Sequence, residues 1–304
     1  MTKRPSENLP VLAPQRLGAP LPMVTQPIQA IVDDPLVTRA DNPLSRIDPA
    51  LMPMHARAGE AVVFSNAVPT KALATMRPAP VGPPPEIGLT QHALPPDEPY
   101  DPRLALVIDP DSERSAAFRV LRHHLLGLGR PQVIIVSSPL KGEGKTTTAL
   151  NLALALAECG RSKVLLAETH VRRPQLANVC KLVPPWCFAE QLAAHRHQPM
   201  LPWSLVEIPQ LWLHVAAINP RIEKTQLLDA PAFAIAMERL RLGGYDHIVI
   251  DAPPVLGSAD VNLMADSADA VVFALRARQS NTRDVRRAMD QIGGNRVVGT
   301  VIVE

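Results

Sequence analysis

The stretch Val133-Ile134-Ile135-Val136-Ser137-Ser138-Pro139-Leu140-Lys141-Gly142-Glu143-Gly144-Lys145-Thr146-Thr147 decides the fold. Its first five residues form a short, mostly β-branched apolar run, the pattern of a strand buried on both faces. The residues after Lys145 are rich in Ala and Leu and read as a helix. Between strand and helix, Gly142 and Gly144 let the backbone curl so that successive N–H groups converge on one point. The helix N-terminus adds partial positive charge there. This is the context of a phosphate-binding loop. Lys145 is placed to reach β- and γ-phosphates, and the Thr146 hydroxyl to hold Mg²⁺. We read Lys141, Gly142, Glu143, Gly144, Lys145, Thr146 and Thr147 as the nucleotide-binding residues.

Working outward, the same alternation continues. A helix is expected over 112–126 (SERSAAFRVLRHHLL), capped by Asp111 or Ser112, with Phe118, Leu121 and Leu125 on one apolar face. Gly127, Gly129 and Pro131 then stop it. Strands are expected at 163–166, at 211–216, at His247–Asp251 (HIVID), at 270–275 and at Val297–Val303, with helices at 232–241 and Thr282–Ile292. Buried strands alternating with helices predict an α/β fold: a phosphate-loop NTPase whose mostly parallel sheet is flanked by helices. The strand ending in Asp251, with Ala-Pro-Pro after it, brings a carboxylate beside the phosphate loop. There it holds Mg²⁺ directly or through water.

Composition bounds the rest. Residues 1–100 hold 19 of the 33 prolines, with 8 Lys/Arg against 9 Asp/Glu. We read 1–104 as a disordered, Pro-rich arm and 105–304 as the phosphate-loop domain. The remainder of the chain is nearly charge-balanced and aromatic residues make up 3% of the whole, so no nucleic-acid platform is expected. Cys159, Cys180 and Cys187 form no C-x-x-C pair and read as inert thiols. No apolar run reaches the ~18 residues a bilayer span needs, and no secretory signal is expected. His195 and His197, with His170 nearby, lack Cys or carboxylate partners at ligand spacing, and 193–203 reads as an irregular loop. No G-x-G-x-x-G comes after a strand, which argues against a dinucleotide enzyme.

Several pieces, taken in order, resemble the bacterial tyrosine kinases (BY-kinases) of capsule and exopolysaccharide synthesis, relatives of the Min/Par-type ATPases. Phe118-Arg119-Val120-Leu121-Arg122 resembles the family's first helix, E-A-[FY]-R-x-L-R, whose charged residues make subunit contacts. Residues 138–145 resemble its S-x-x-P-G-E-G-K loop, with Lys141 where the proline stands. Val164-Leu165-Leu166-Ala167-Glu168-Thr169-His170-Val171-Arg172-Arg173-Pro174 resembles the Walker A′ strand V-L-L-I-D-A-D-L-R-R-P. Ile250-Asp251-Ala252-Pro253-Pro254 resembles I-D-x-P-P.

The resemblance implies ATP and Mg²⁺ as cofactors, with Lys145, Glu168 and Asp251 as catalytic residues and Thr146 and Asp251 as metal ligands. It implies a homo-oligomer and a membrane polysaccharide co-polymerase or export protein whose cytoplasmic segment completes the site. The chain itself is then cytoplasmic, recruited to the inner face of the membrane. The family's two Walker A′ aspartates align with Glu168 and His170. The first takes the tyrosine proton; here the carboxylate sits one methylene further out. The second serves the metal site, for which an imidazole is a poor Mg²⁺ ligand. The first-helix glutamate aligns with Ala116. The chain reads GTVIVE at its end and holds only Tyr100 and Tyr245, so a C-terminal tyrosine cluster is not expected. Three readings stand: a tyrosine kinase, an ATP-dependent pseudokinase scaffold, and a Min/Par-type ATPase that dimerises on ATP. For the third, Lys141 lies one residue from the signature lysine position, occupied here by Leu140.

Overall fold

A computed structural model describes residues 82–221 and 229–303. Eight strands form one sheet: β1 (Ile87–Gln91), β2 (Val133–Ser137), β3 (Val164–Glu168), β4 (Trp203–Ile208), β5 (Leu213–Ala216), β6 (His247–Asp251), β7 (Ala270–Arg276) and β8 (Val297–Val303). Their order is β1-β4-β5-β3-β6-β2-β7-β8, and every pair is parallel except β4–β5. The expected mostly parallel α/β fold is what the chain adopts.

The two faces of the sheet arise from the alternation within each strand. Ile134 and Val136 of β2 face α2 (Glu113–Gly127) and α3 (Lys145–Ala157) in one apolar core. Val133 and Ile135 face the other core, built with α5 (Phe188–His197), α6 (Ala230–Arg241), α7 (Asp260–Ala265) and α8 (Thr282–Ile292). All five residues of β2, β3 and β6 are buried, as a sheet covered on both sides requires. Helix α3 is buried along nearly its whole length because α2 covers the face turned from the sheet. Ser112 caps α2, its hydroxyl accepting from the Ser115 amide at 3.3 Å, and Phe118, Leu121 and Leu125 are its buried stripe.

Two expectations need correcting. The folded region does not begin near residue 105. Ile87–Gln91 pairs with Trp203–Glu207 as an edge strand, and Leu94 and Leu104 are buried. The prolines around it do not prevent this, because an edge strand needs only alternate N–H groups. The rest of the expected arm, 1–81, lies outside the described residues. Residues 193–203 are likewise not an irregular loop: α5 runs to His197, and Trp203 opens β4. His195 stacks on Trp203 with centroids 3.7 Å apart. Its ring nitrogens lie 2.7 and 2.9 Å from the carbonyls of Gln191 and Leu201, so it is a core residue.

Candidate functional site

Ser137, Glu168 and Asp251 end three adjacent strands, so the topology alone gathers the phosphate loop and both carboxylates at one edge of the sheet. Gly142 and Gly144 have φ of +84° and +87°, the left-handed conformation that glycine adopts without a Cβ penalty. At Gly144 space is also short: a Cβ would stand 3.1 Å from Val303 Cγ2 of β8. Glu143 stabilises the loop from within. Its Oε2 accepts from the Leu140 amide at 2.6 Å and its Oε1 from the Ser280 hydroxyl. The Ala252-Pro253-Pro254 segment is tied to the loop from outside, through Val255 N to Ser138 O at 2.9 Å and Ser137 Oγ to Pro253 O at 2.6 Å.

Lys145 is buried at the start of α3, and burial lowers its pKa against the pull of Asp251 and Glu143. Thr146 Oγ1 donates to Asp251 Oδ2 at 2.7 Å. The other oxygen, Asp251 Oδ1, is buried and has no hydrogen-bond partner among the described residues. A buried carboxylate oxygen without a donor is costly unless a cation or a proton completes it. Accordingly burial pushes Asp251 up to about 6, with the Thr146 hydroxyl, Lys145 and Arg103 opposing. Hard oxygen donors from a threonine and an aspartate fit Mg²⁺. Lys141 is exposed on the loop, and Thr147 is half-buried, its carbonyl accepting from Asn151 Nδ2 at 2.8 Å.

Glu168 ends β3 beside Asp251 of β6. It is fully buried, and both oxygens face backbone amides. Oε1 accepts from Gln175 N and, at 3.0 Å, from Leu176 N; Oε2 accepts from Ile218 N at 3.1 Å. In this arrangement the carboxyl anchors two loops. Burial and the neighbouring Asp251 push it up to about 7. His170 is half-buried, and burial with Lys145, Arg173 and Arg172 depresses it to about 4, so it is neutral at pH 7. Arg172 and Arg173, both exposed, follow in the segment after β3. On α2, Arg119 and Arg122 both bind Glu158 just beyond α3.

Arg103 is the site residue that sequence reasoning missed, because it falls within the expected arm. Its guanidinium is held by Asp101 through bonds of 2.8 and 2.7 Å and donates to Gln175 Oε1 at 3.1 Å. Its charge is felt by Asp251. Buried Asn151 ties it down, donating to both Arg103 O at 2.7 Å and Thr147 O. The charged pair D-x-R at 101–103 was the available signal, but nothing local connects it to Asp251.

No family model matches the chain. Among curated proteins, it is 25% identical over 215 residues to the succinoglycan biosynthesis transport protein ExoP of Rhizobium meliloti, covering 67% of this chain. The match covers only 27% of ExoP's length. It is 28% identical over 162 residues to the tyrosine-protein kinase CpsD of Streptococcus pneumoniae, covering 53% of this chain and 70% of CpsD. Tyrosine-protein kinase YwqD of Bacillus subtilis is 24% identical over 191 residues, 60% of this chain and 77% of YwqD. Among solved structures, the chimerical protein CapA2B2 superposes with a TM-score of 0.57 at 25% identity, over 72% of this chain and 93% of that one. The kinase domain of Escherichia coli ETK superposes at 0.55 with 20% identity, over 67% and 80%, and shows the shared fold. The chain is therefore similar to bacterial tyrosine kinases in sequence and in fold, as its motifs read.

Proposed function

We propose that this chain binds Mg·ATP and transfers the γ-phosphoryl group to protein tyrosine, in the service of capsule or exopolysaccharide biosynthesis or export. One observation carries the nucleotide part: Asp251 spends one oxygen on Thr146 and holds the other buried, without a partner among the described residues, beside a left-handed glycine loop. The backbone N–H groups of 142–147 and the N-terminus of α3 receive the phosphates, and Lys145 reaches the β- and γ-groups. Thr146 and Asp251 hold Mg²⁺, which when bound neutralises charge on the phosphates. Phosphoryl transfer through a loose transition state depends chiefly on positioning and electrostatics, so a buried Glu168 does not by itself abolish it. Glu168 acts by holding the loop that carries Arg172 and Arg173.

The same burial of Glu168 favours a second reading, in which the chain binds ATP as a pseudokinase scaffold and phosphorylates nothing. Exposed Lys141 lends support to a third, a Min/Par-type ATPase. The partner in the first two readings is a membrane polysaccharide co-polymerase or export protein, met through its cytoplasmic segment, with self-association alongside. No helix among the described residues is long and apolar enough to cross a membrane, which suits recruitment by such a partner. The deciding test measures binding of ATP with and without Mg²⁺, ATP turnover, and phosphorylation of a synthetic Glu–Tyr copolymer, for the wild type and Lys145→Ala. Phosphorylated copolymer supports the kinase. Nucleotide binding without turnover supports the scaffold. ATP-dependent dimerisation with turnover, both lost in Lys141→Ala, supports the positioning ATPase. An intact fold without nucleotide affinity removes all three.

A further inference from the structure

We infer that Arg103 is the residue by which this site distinguishes a nucleoside triphosphate from a diphosphate, a reading that rests on the nucleotide binding proposed above. Arg103 lies well ahead of the phosphate loop in the sequence, but two hydrogen-bonded routes lead from it to Asp251. In the first, its guanidinium donates to Gln175 Oε1 at 3.1 Å, the Gln175 amide donates to Glu168 Oε1, and Glu168 is the register partner of Asp251. In the second, buried Asn151 donates to Arg103 O at 2.7 Å and to Thr147 O at 2.8 Å, and accepts from the Leu106 amide at 3.2 Å. Thr147 follows the threonine whose hydroxyl binds Asp251. The side chain of Arg103 is thereby tied to the end of β3 and its backbone to the start of α3, the two elements that flank Asp251.

The guanidinium is set in place in advance. Asp101 accepts from Nε at 2.8 Å and from Nη2 at 2.7 Å, a two-pronged grip that fixes the guanidinium plane. The same carboxylate accepts from the Arg103 amide at 2.9 Å, which holds the turn. The remaining guanidinium N–H groups have no acceptor among the described residues, and the side chain is 30% exposed, so they are open to an incoming anion. The charge still carries to Asp251, where Arg103 acts with Lys145 against the rise that burial causes.

The two cations divide the work. Lys145, buried at the start of α3, serves β- and γ-groups alike and so contributes to both nucleotides. Arg103 comes to Asp251 by way of Gln175, on the β3 side of β6, whereas the phosphate loop leaves β2 on the other side. In such sites the β- and γ-oxygens share the Mg²⁺, so the extra charge of a triphosphate falls beside Asp251. A cation fixed on that side favours the more highly charged nucleotide, and little side-chain freedom is lost when it engages.

The test titrates the full chain, in the presence of Mg²⁺, with the β,γ-imido analogue of ATP and with ADP. It compares the wild type, Arg103→Ala and Arg103→Lys, with thermal midpoints to confirm folding. Arg103→Ala should weaken triphosphate binding by about tenfold, the value of one charge-assisted hydrogen bond, and change ADP binding by less than about twofold. Arg103→Lys keeps the charge and should recover part of the triphosphate affinity. Should Arg103→Ala fail to fold, Arg103→Gln, which can still bond Asp101, carries the same comparison. Equal losses for both nucleotides, with Arg103→Lys no better than Arg103→Ala, would mean that Arg103 only braces the turn, and overturn the inference. An unchanged affinity ratio overturns it too and leaves the nucleotide reading standing. A folded wild type that binds neither nucleotide removes both.

Discussion

Glu168 and Asp251 are register partners on the adjacent parallel strands β3 and β6, two buried carboxyls side by side at the edge of the sheet from which the 138–145 loop leaves. Each raises the cost of ionising the other. Burial and that neighbour move Glu168 from 4.5 to about 7, and burial moves Asp251 from 3.8 to about 6. The folded chain therefore keeps protons that the unfolded chain has released. Their contribution to stability is complete below the ordinary carboxylate range and is lost as the pH rises through the folded values. His170, depressed from 6.5 to about 4, works in the opposite sense, so the absolute curve mixes the two.

The difference between wild type and Glu168→Gln isolates the carboxyl. In metal-free buffer, the thermal midpoint of the wild type relative to Glu168→Gln should fall as the pH climbs from 4.5 to about 7. Differential scanning calorimetry across that window measures it. A relative midpoint that is flat or rising means the two carboxyls do not share a desolvated edge.

Removing the orphaned oxygen is the direct check on the metal site. Asp251→Asn deletes the charge while keeping the shape and leaves an oxygen or amide nitrogen opposite Thr146. Mg²⁺-dependent ATP affinity should drop by at least about tenfold, while metal-free nucleotide binding changes little. Titration calorimetry with and without Mg²⁺ separates the two. Equal losses in both conditions would show that Asp251 serves the fold and not the ion.

Legibility in the sequence tracks the range of the interactions. The chain from Val133 to Thr147 announces itself because strand, glycine turn and helix start are contiguous, and Gly142 and Gly144 have the positive φ their position demands. Asp251 was legible for the same reason, as the residue that ends a five-residue strand just after the apolar run Ile248-Val249-Ile250. Strand β1 was not, because Ile87–Gln91 sits among prolines and becomes a strand only by pairing with β4, itself screened by Pro202. Arg103 was hidden because its tie to the site runs through Asn151 and Gln175, which lie far along the chain. The resemblance to the Walker A′ strand pointed to Glu168, but the three amides that enclose it come from two loops that no pattern in the sequence joins.

The phosphate loop offers a paired measurement of strain and crowding. Gly144 and Gly257 have nearly equal φ, +87° and +89°, but a Cβ on Gly144 meets Val303 at 3.1 Å whereas one on Gly257 meets nothing within 4 Å. Gly257→Ala should cost about 1–2 kcal/mol, the penalty of a left-handed alanine. Gly144→Ala should cost more, and trimming the neighbour in Gly144→Ala/Val303→Ala should bring back part of the excess over the single variants. Urea unfolding of the set checks this. Equal costs at the two glycines would mean that β8 does not press on the loop.

Glu158 decides what α2 can do for self-association. Arg119 meets it through Nε at 2.9 Å and Nη2 at 2.7 Å, and Arg122 through Nη1 at 3.0 Å. The two guanidiniums also satisfy the carbonyls of Pro110 and Ala155. The arginines that the family's first helix offers to a neighbouring subunit are thus engaged within this chain, and Ala116 offers no carboxylate in exchange. All three side chains are about a third exposed, so solvent screens the network and its loss should cost only about 1 kcal/mol. Glu158→Ala frees both guanidiniums for an acidic partner. Sedimentation velocity should then show stronger association of Glu158→Ala with itself or with an acidic co-polymerase segment than of the wild type, an increase that salt removes. Unchanged sedimentation at low salt would mean that Glu158 holds α2 against α3 and has no bearing on assembly.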